Sequence, residues 1–96
     1  MVEDCTALIE SGILTDEELS DAYAYRAGAY EPYFDEKDVS RASLLSDLKM
    51  AIALNPKNAF AYYLRGEVTG NKSDFQKVIE LAPGTELAEY AEMNMR

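Results

Sequence analysis

The sequence contains no histidine and no tryptophan, and only one of its 96 residues is cysteine. Histidine is the side chain that most often acts as a general acid or base and most often binds metals. No Gly-rich phosphate loop is present to suggest a nucleotide site. A single cysteine, Cys5, cannot form an internal disulfide. We therefore expect a protein that is not an enzyme and that has no metal and no cofactor.

Basic residues are also scarce: 9 Lys and Arg stand against 18 Asp and Glu, which gives a formal net charge of −9. A field of that sign repels phosphates and anionic lipids, so it argues against nucleic acid and membrane surfaces as partners. It favours a basic protein or peptide. An acidic surface that serves solubility alone remains the alternative interpretation.

Long apolar runs are missing, because every uninterrupted apolar run is far shorter than the length needed to cross a membrane. The first residues, Met-Val-Glu-Asp-Cys, lack the basic and apolar regions of a secretory signal. These features favour the cytoplasm. The compartment stays open, because an excised piece of a longer protein could have lost such a signal.

Apolar residues recur with a helical period in several segments, and no segment shows the alternation of a strand. We predict an all-α fold in a single domain, 1–96, with about six helices joined by short turns, so that successive helices are antiparallel neighbours. The first predicted helix is 2–11, and the second is a long one that starts at Thr15, carries its apolar stripe to Tyr30 and loosens at Pro32. The third follows a cap within 35–38 and ends at Leu54, and the fourth is about 58–69. The fifth starts at Ser73 and is ended by Pro83-Gly84, and the last is 85–96.

Local signals mark where several of these helices begin and end. Thr15 and Glu18 form a predicted capping box, and Ser73 with Gln76 forms a second one. Asn58 is placed to cap the helix that follows the Asn-Pro-Lys-Asn corner, and Gly-Asn at 70–71 predicts a left-handed stop.

A phrase recurs in the chain: AIALNPKNAFAYYLRG and VIELAPGTELAEYAEM each contain an apolar helix end, a proline corner and a helix start rich in alanine and tyrosine. Their prolines, Pro56 and Pro83, lie 27 residues apart. An internal period of this size indicates stacked helical repeats. A third helix start, DAYAYRA, resembles AYYLRG, and Arg26 matches Arg65.

At these residues the sequence resembles the tetratricopeptide repeat, a helix-turn-helix unit of 34 residues. The first copy is matched by Tyr23, Ala27, Tyr30, Leu48, Ala51 and Pro56; the second by Tyr62, Gly66, Phe75, Val78 and Pro83. The resemblance implies a right-handed α-α superhelix of antiparallel helices. It divides the chain into an N-terminal helix 2–11, a repeat at about 15–56, a shortened repeat at about 57–83 and a capping helix 85–96.

In this family the first helix of each repeat lines a concave groove that binds peptides. The resemblance implies the following groove positions here: Asp21, Ala24, Gly28, Glu31, Phe60, Tyr63, Glu67 and Tyr90. Such a groove is aromatic and acidic, and it suits a peptide with Lys or Arg and an apolar anchor. For Phe60, Tyr63 and Tyr90 core packing is an equal alternative, and for Tyr23 and Tyr62 we expect core packing.

Two further patterns receive a structural interpretation. Arg26 and Arg65 are expected to order neighbouring helices, either by snorkelling or by pairing with carboxylates, rather than to contact a ligand. The S-x-x-K string at 46–49 lacks its companion motifs, so we interpret it as a chance match on an exposed helix face.

The resemblance and the composition together predict a non-catalytic scaffold or adaptor that binds a protein or peptide. Two alternatives remain. The chain could be a structural unit that forms a homodimer or docks on a longer protein. It could also be a small acidic inhibitor of a basic protein.

Overall fold

A computed structural model describes residues 2–30 and 38–95, and within these ranges every regular element is an α-helix. The helices are α1 (Val2–Ser11), α2 (Asp16–Tyr30), α3 (Asp38–Leu54), α4 (Ala59–Thr69), α5 (Lys72–Leu81) and α6 (Glu86–Met95). The predicted all-α class is thus confirmed for this part of the chain. The candidate groove residue Glu31 lies outside the described residues.

The start of α2 is fixed by the predicted capping box. The backbone N–H of Thr15 donates to Glu18 Oε1 at 3.0 Å, and the N–H of Glu18 donates to Thr15 Oγ1 at 3.2 Å. Two amides that have no partner in the helical ladder are thereby satisfied. The hydrogen bond from the Thr15 backbone, followed by that with its side chain, lowers the pKa of the Glu18 carboxyl below its ordinary value.

The start of α5 differs from the prediction. The cap is Asn71 rather than Ser73: Asn71 has extended backbone angles, and its Oδ1 accepts the N–H of Ser73 at 3.0 Å. The reason lies in the preceding turn. Gly70 adopts φ 75° and donates its N–H to the Gly66 carbonyl at 2.8 Å, so α4 ends there and Asn71 is the first residue free to cap a new helix.

The corner between α3 and α4 is held by a buried polar cluster. Asn58 caps α4 as predicted, with its Oδ1 accepting the N–H of Ala61 at 3.2 Å. Its Nδ2 donates to the buried hydroxyl of Ser20 on α2 at 2.9 Å, and Ser20 Oγ donates to the Ala51 carbonyl at the end of α3 at 2.6 Å. One asparagine therefore ties three helices together.

Each helix packs on the next one along the chain, and in addition α2 packs on α4 and α4 packs on α6. These contacts bury two apolar clusters. The first cluster contains Ala24, Ala27, Leu44, Leu48, Ala51, Ala61, Leu64 and Val68, and the second contains Phe75, Val78 and Ala91. Tyr63 on α4 packs against both clusters and so joins the two halves of the core.

Small residues let the helices approach closely, as the repeat pattern predicted. Ala27 and Ala51 are fully buried. A Cβ atom built on Gly66 would lie 3.0 Å from Cε1 and Cζ of Phe75, whereas one built on Gly28 would lie 3.8 Å from its nearest neighbours, Leu64 and Phe60. A side chain at position 66 would therefore make an unusually tight contact with Phe75, whereas one at position 28 would make ordinary van der Waals contacts.

We expect Gly66→Ala to be less stable than Gly28→Ala by about 1–3 kcal/mol, because the Phe75 ring must shift slightly within a packed core to admit the added methyl group. Gly28→Ala is the matched control, since it gains the same helix propensity without the steric conflict. Urea denaturation followed by circular dichroism measures both. Equal stability of the two variants would contradict the close packing of α4 on α5.

The capping box predicts a pH dependence. Because the pKa of Glu18 is lowered in the folded chain, its stabilising effect is present above the ordinary value of 4.5 and is lost as the pH falls through the folded value. Between about pH 7 and pH 3, the stability of the native chain should fall more than that of Glu18→Gln. Thermal melts compare the two, with Glu17→Gln in the same helical turn as the control for net charge. Parallel pH profiles of the native chain and Glu18→Gln would count against the capping box.

Candidate functional site

An arginine, an aspartate and a tyrosine form a cluster between α2 and α3. Arg26 Nε donates to Asp47 Oδ2 at 2.8 Å and its Nη2 donates to Asp47 Oδ1 at 2.7 Å. The guanidinium carbon lies 5.3 Å from the centroid of the Tyr23 ring, within the range of a cation–π contact. Its Nη1 donates to Thr6 Oγ1 on α1 at 3.2 Å, which brings a third helix into the cluster.

The same cluster recurs between α4 and α5. Arg65 Nε donates to Asp74 Oδ2 at 2.9 Å and its Nη2 donates to Asp74 Oδ1 at 2.7 Å, while its guanidinium carbon lies 5.5 Å from the Tyr62 ring centroid. The hydrogen bonds with Asp74 raise the pKa of Arg65 further above its ordinary value. Of the two structural roles expected for these arginines, the structure shows pairing with a carboxylate at both positions. Both tyrosines pack on or beside the apolar clusters, as expected.

Asp47 lies within the S-x-x-K string but differs from its neighbours in burial. The S-x-x-K string was expected on an exposed helix face, and Ser46 and Lys49 are indeed exposed, but Asp47 between them is only 5% exposed. The carboxylate is buried because it completes the cluster with Arg26. Its role in this fold is therefore to join two helices.

A polar cleft of 560 Å³ adjoins the first cluster. It is lined by Thr6, Arg26, Ala42, Ser43, Ser46 and Asp47. The one cation in this lining donates to Asp47 and Thr6 through all three of its nitrogens. The cleft therefore presents neutral and already bonded groups, which makes it a weak candidate for binding a charged ligand.

A row of aromatic side chains crosses three helices and forms the best candidate for a binding surface. We call Tyr25, Phe60, Tyr63 and Tyr90 the aromatic row. Tyr25 on α2 and Phe60 on α4 make a tilted ring contact with centroids 5.8 Å apart, and Tyr63 meets the buried Phe75 edge-on at the same separation. Tyr25 is 61% exposed and Tyr90 is 51% exposed, whereas Phe60 and Tyr63 are half-buried.

Asn94 extends the aromatic row from α4 to α6. Its Nδ2 lies 3.4 Å from the Tyr63 hydroxyl and donates to the Tyr90 carbonyl at 2.8 Å. Tyr90 and Asn94 are four residues apart, so they share one side of α6. The side of α6 that carries Tyr90 is therefore the side that continues from Tyr63.

The structure places the predicted groove residues in different environments. Phe60, Tyr63 and Tyr90 belong to the aromatic row, and Gly28 lies beside Phe60. Asp21 and Glu67 are exposed, with Asp21 Oδ1 lying 3.4 Å from Asn58 Nδ2.

Ala24 needs correction, because its side chain is buried in the first apolar cluster and is closed to a ligand. Ala24 and Tyr25 follow Asp21 by three and four residues, so either could lie beside it on the surface of α2. Ala24 is buried in the core, whereas Tyr25 is exposed.

Two members of this surface were missed in the sequence. Tyr25 is four residues after Asp21 and three before Gly28, so helical spacing alone offered it as an alternative to Ala24. Asn94 follows Tyr90 by four residues and was open to the same argument. The repeat pattern names one position per turn and includes neither residue.

Charge on α2, α4 and α6 is strongly one-sided. Their only basic residues are Arg26 and Arg65, and each is bonded to an aspartate. The acidic residues are Asp16, Glu17, Glu18, Asp21, Glu67, Glu86, Glu89 and Glu92. A ligand at the aromatic row would therefore meet a negative potential, which favours a cationic ligand.

A scan against models of protein families, a search of curated proteins and a search of solved structures each returned no match. Among residues 2–30 and 38–95, no group of three or more metal-binding side chains could hold a metal ion. No helix in the described part of the chain is long and apolar enough to cross a membrane.

The cluster of Arg26 and Asp47 predicts a specific mutational pattern. Asp47→Leu should cost about 3 kcal/mol of stability, because it leaves Arg26, whose side chain is 19% exposed, without its counter-charge. Adding Arg26→Met should recover part of that loss, since an apolar pair of similar size needs no partner. Urea denaturation of both single variants and the double variant gives the coupling. Additive losses would show that the two side chains do not interact.

Proposed function

We propose that this chain is a non-catalytic protein- or peptide-binding module of the tetratricopeptide type, with the aromatic row as its binding surface. The observation that carries the proposal is the aromatic row itself, which runs over three helices that pack on one another. Exposed aromatic side chains on a rigid helical support are typical of surfaces that bind other proteins.

The internal repetition supports the repeat architecture. The Tyr–Arg–Asp cluster occurs once in each of the helix pairs α2–α3 and α4–α5, with the same atoms paired. The contacts of α2 with α4 and of α4 with α6 bring the first helix of each unit next to the first helix of the following one. A right-handed superhelix with its concave side on α2, α4 and α6 is consistent with both features.

The chemistry of the surface suggests the partner. Tyr25 and Tyr90 are more than half exposed, and aromatic rings attract apolar groups and the cations of Lys and Arg. Asp21 on α2 and Glu67 on α4 are exposed and add charge complementarity. We therefore propose a peptide, or a segment of a protein, that combines Lys or Arg with an apolar residue. A basic protein held by an acidic inhibitor would use the same surface.

A peptide array tests this function with defined probes. Short peptides with systematically varied contents of Lys, Arg and apolar residues are compared with counterparts in which each basic residue is replaced by Glu. The native chain should retain basic, apolar peptides and reject the acidic ones, and retention should weaken as salt is raised. No retention of any class, or equal retention of both, would count against the proposal.

Removal of the aromatic side chains should weaken that binding. Tyr25→Ala and Tyr90→Ala are each expected to reduce the affinity of a retained peptide about tenfold, since both rings are more than half exposed and lie in the aromatic row. Fluorescence anisotropy measures the affinity, and circular dichroism confirms an unchanged fold. Met50→Ala is the matched control, because Met50 is also exposed but lies on α3. An equal loss in the control would rule out the aromatic row.

A further inference from the structure

Among the described residues, no helix packs on the side of α6 that corresponds to the covered sides of α2 and α4. Helix α3 packs on α2 and α5 packs on α4, whereas the described residues supply only α5 and α4 as neighbours of α6. The capping residues give the register between α4 and α6. Asn58 and Thr85 each follow a proline by two residues, and each accepts the N–H of an alanine three residues later.

This register makes Glu92 on α6 the equivalent of Arg65 on α4. It also equates Met93 with Gly66, and it equates Thr85 with Asn58 at the helix start. On α4, Arg65 and Gly66 are the residues that receive α5. The equivalent pair on α6 is uncovered: Glu92 is exposed and Met93 is 61% exposed.

Two contacts hold α5 on α4, an ion pair and a close packing contact. The equivalent positions on α6 have the opposite charge and the opposite size. Arg65 pairs with the carboxylate of Asp74 on α5. At the equivalent position Glu92 is acidic, so a helix packed on α6 would need a cation opposite Glu92. Gly66 has no side chain, and the Phe75 ring of α5 packs against it. Met93 at the equivalent position has a large side chain, so a helix packed on α6 would need a small residue opposite Met93. A cleft of 350 Å³ beside this face is lined by Gln76, Ile79, Glu92 and Met95 and offers room for an apolar side chain.

We propose that this face of α6 docks an amphipathic helix of a partner protein, with Lys or Arg opposite Glu92 and a small residue opposite Met93. The charge of this face favours a basic helix of a partner protein over a second copy of the chain. The net charge of each copy is −9, and α6 itself carries Glu86, Glu89 and Glu92 without any basic residue. A basic helix gains the electrostatic attraction that a second acidic copy would lack.

This docking face is distinct from the aromatic row. Tyr90 and Asn94 lie toward Tyr63 on α4, whereas Glu92 borders the cleft beside α5. The inference therefore does not depend on the proposed function. A negative result in the peptide array would count against the aromatic row but not against the docking face. A negative result for the docking face would not count against the aromatic row.

A peptide derived from α5 can serve as the probe, because α5 is the helix that packs on the equivalent face of α4. The probe is a synthetic peptide of residues 70–82 with Asp74→Lys and Phe75→Ala, which present a cation to Glu92 and a small side chain to Met93. A hydrocarbon staple joins positions 76 and 80, which are exposed on α5. The staple is needed because so short a helix is marginal alone in water. The control peptide keeps Asp74 and is otherwise identical.

Fluorescence anisotropy with the full chain measures the binding of both peptides. The Asp74→Lys peptide should bind the native chain, and Glu92→Arg should weaken that binding about tenfold or more. The control peptide should instead bind Glu92→Arg better than the native chain, since the charges are then exchanged. Glu10→Arg on α1 makes the same change in net charge away from α6 and should alter either affinity by no more than about twofold.

Three results would overturn the proposal. One is the lack of saturable binding of the Asp74→Lys peptide up to about 1 mM. Another is an equal loss of affinity in Glu92→Arg and Glu10→Arg, which would show general attraction to an acidic protein. The third is a dimer of the chain in sedimentation velocity that dissociates on Met93→Asp, which would assign the face to a second copy.

Discussion

The bidentate pair between an arginine of one helix and an aspartate of the next is the interaction on which both helix pairs depend. Asp47 and Asp74 are 5% and 3% exposed, and a carboxylate so buried costs free energy unless its hydrogen bonds are made. Two parallel N–H···O bonds fix the distance and orientation of each guanidinium against its carboxylate, so the pair favours a rotation of each helix that turns these side chains toward each other. That rotation determines the rest of the surface: Gly28, two residues after Arg26, falls on the far side of α2, next to the aromatic row.

Features that depend on neighbours in the chain were predictable from the sequence. The capping box of Thr15 and Glu18 and the cap at Asn58 involve contacts over three residues, and the residue types alone suggest them. The exception at Asn71 is instructive, because two cap-forming residues compete there and the end of α4 at Gly70 decides between them.

Features that join distant parts of the chain were not predictable to the same degree. The bond from Asn58 to Ser20 spans 38 residues, and the pair of Arg26 with Asp47 spans 21. The sequence indicated that the arginine seeks a carboxylate, but among 18 acidic residues only the packing of α2 on α3 selects Asp47. The choice between Ala24 and Tyr25 has the same origin, since the core and not the periodicity determines which of two adjacent residues is buried.

The divided core has a consequence for how the molecule opens. Among the described residues the second cluster has three buried members, Phe75, Val78 and Ala91, whereas the first has eight, and Tyr63 is packed against both. A smaller buried core means a lower free energy for local unfolding, so the amide hydrogens of α5 and α6 should exchange with solvent sooner than those of α2 and α3. Part of the aromatic row and the whole docking face lie on this less stable half. A partner bound at either place would raise protection against exchange well beyond the residues that it touches.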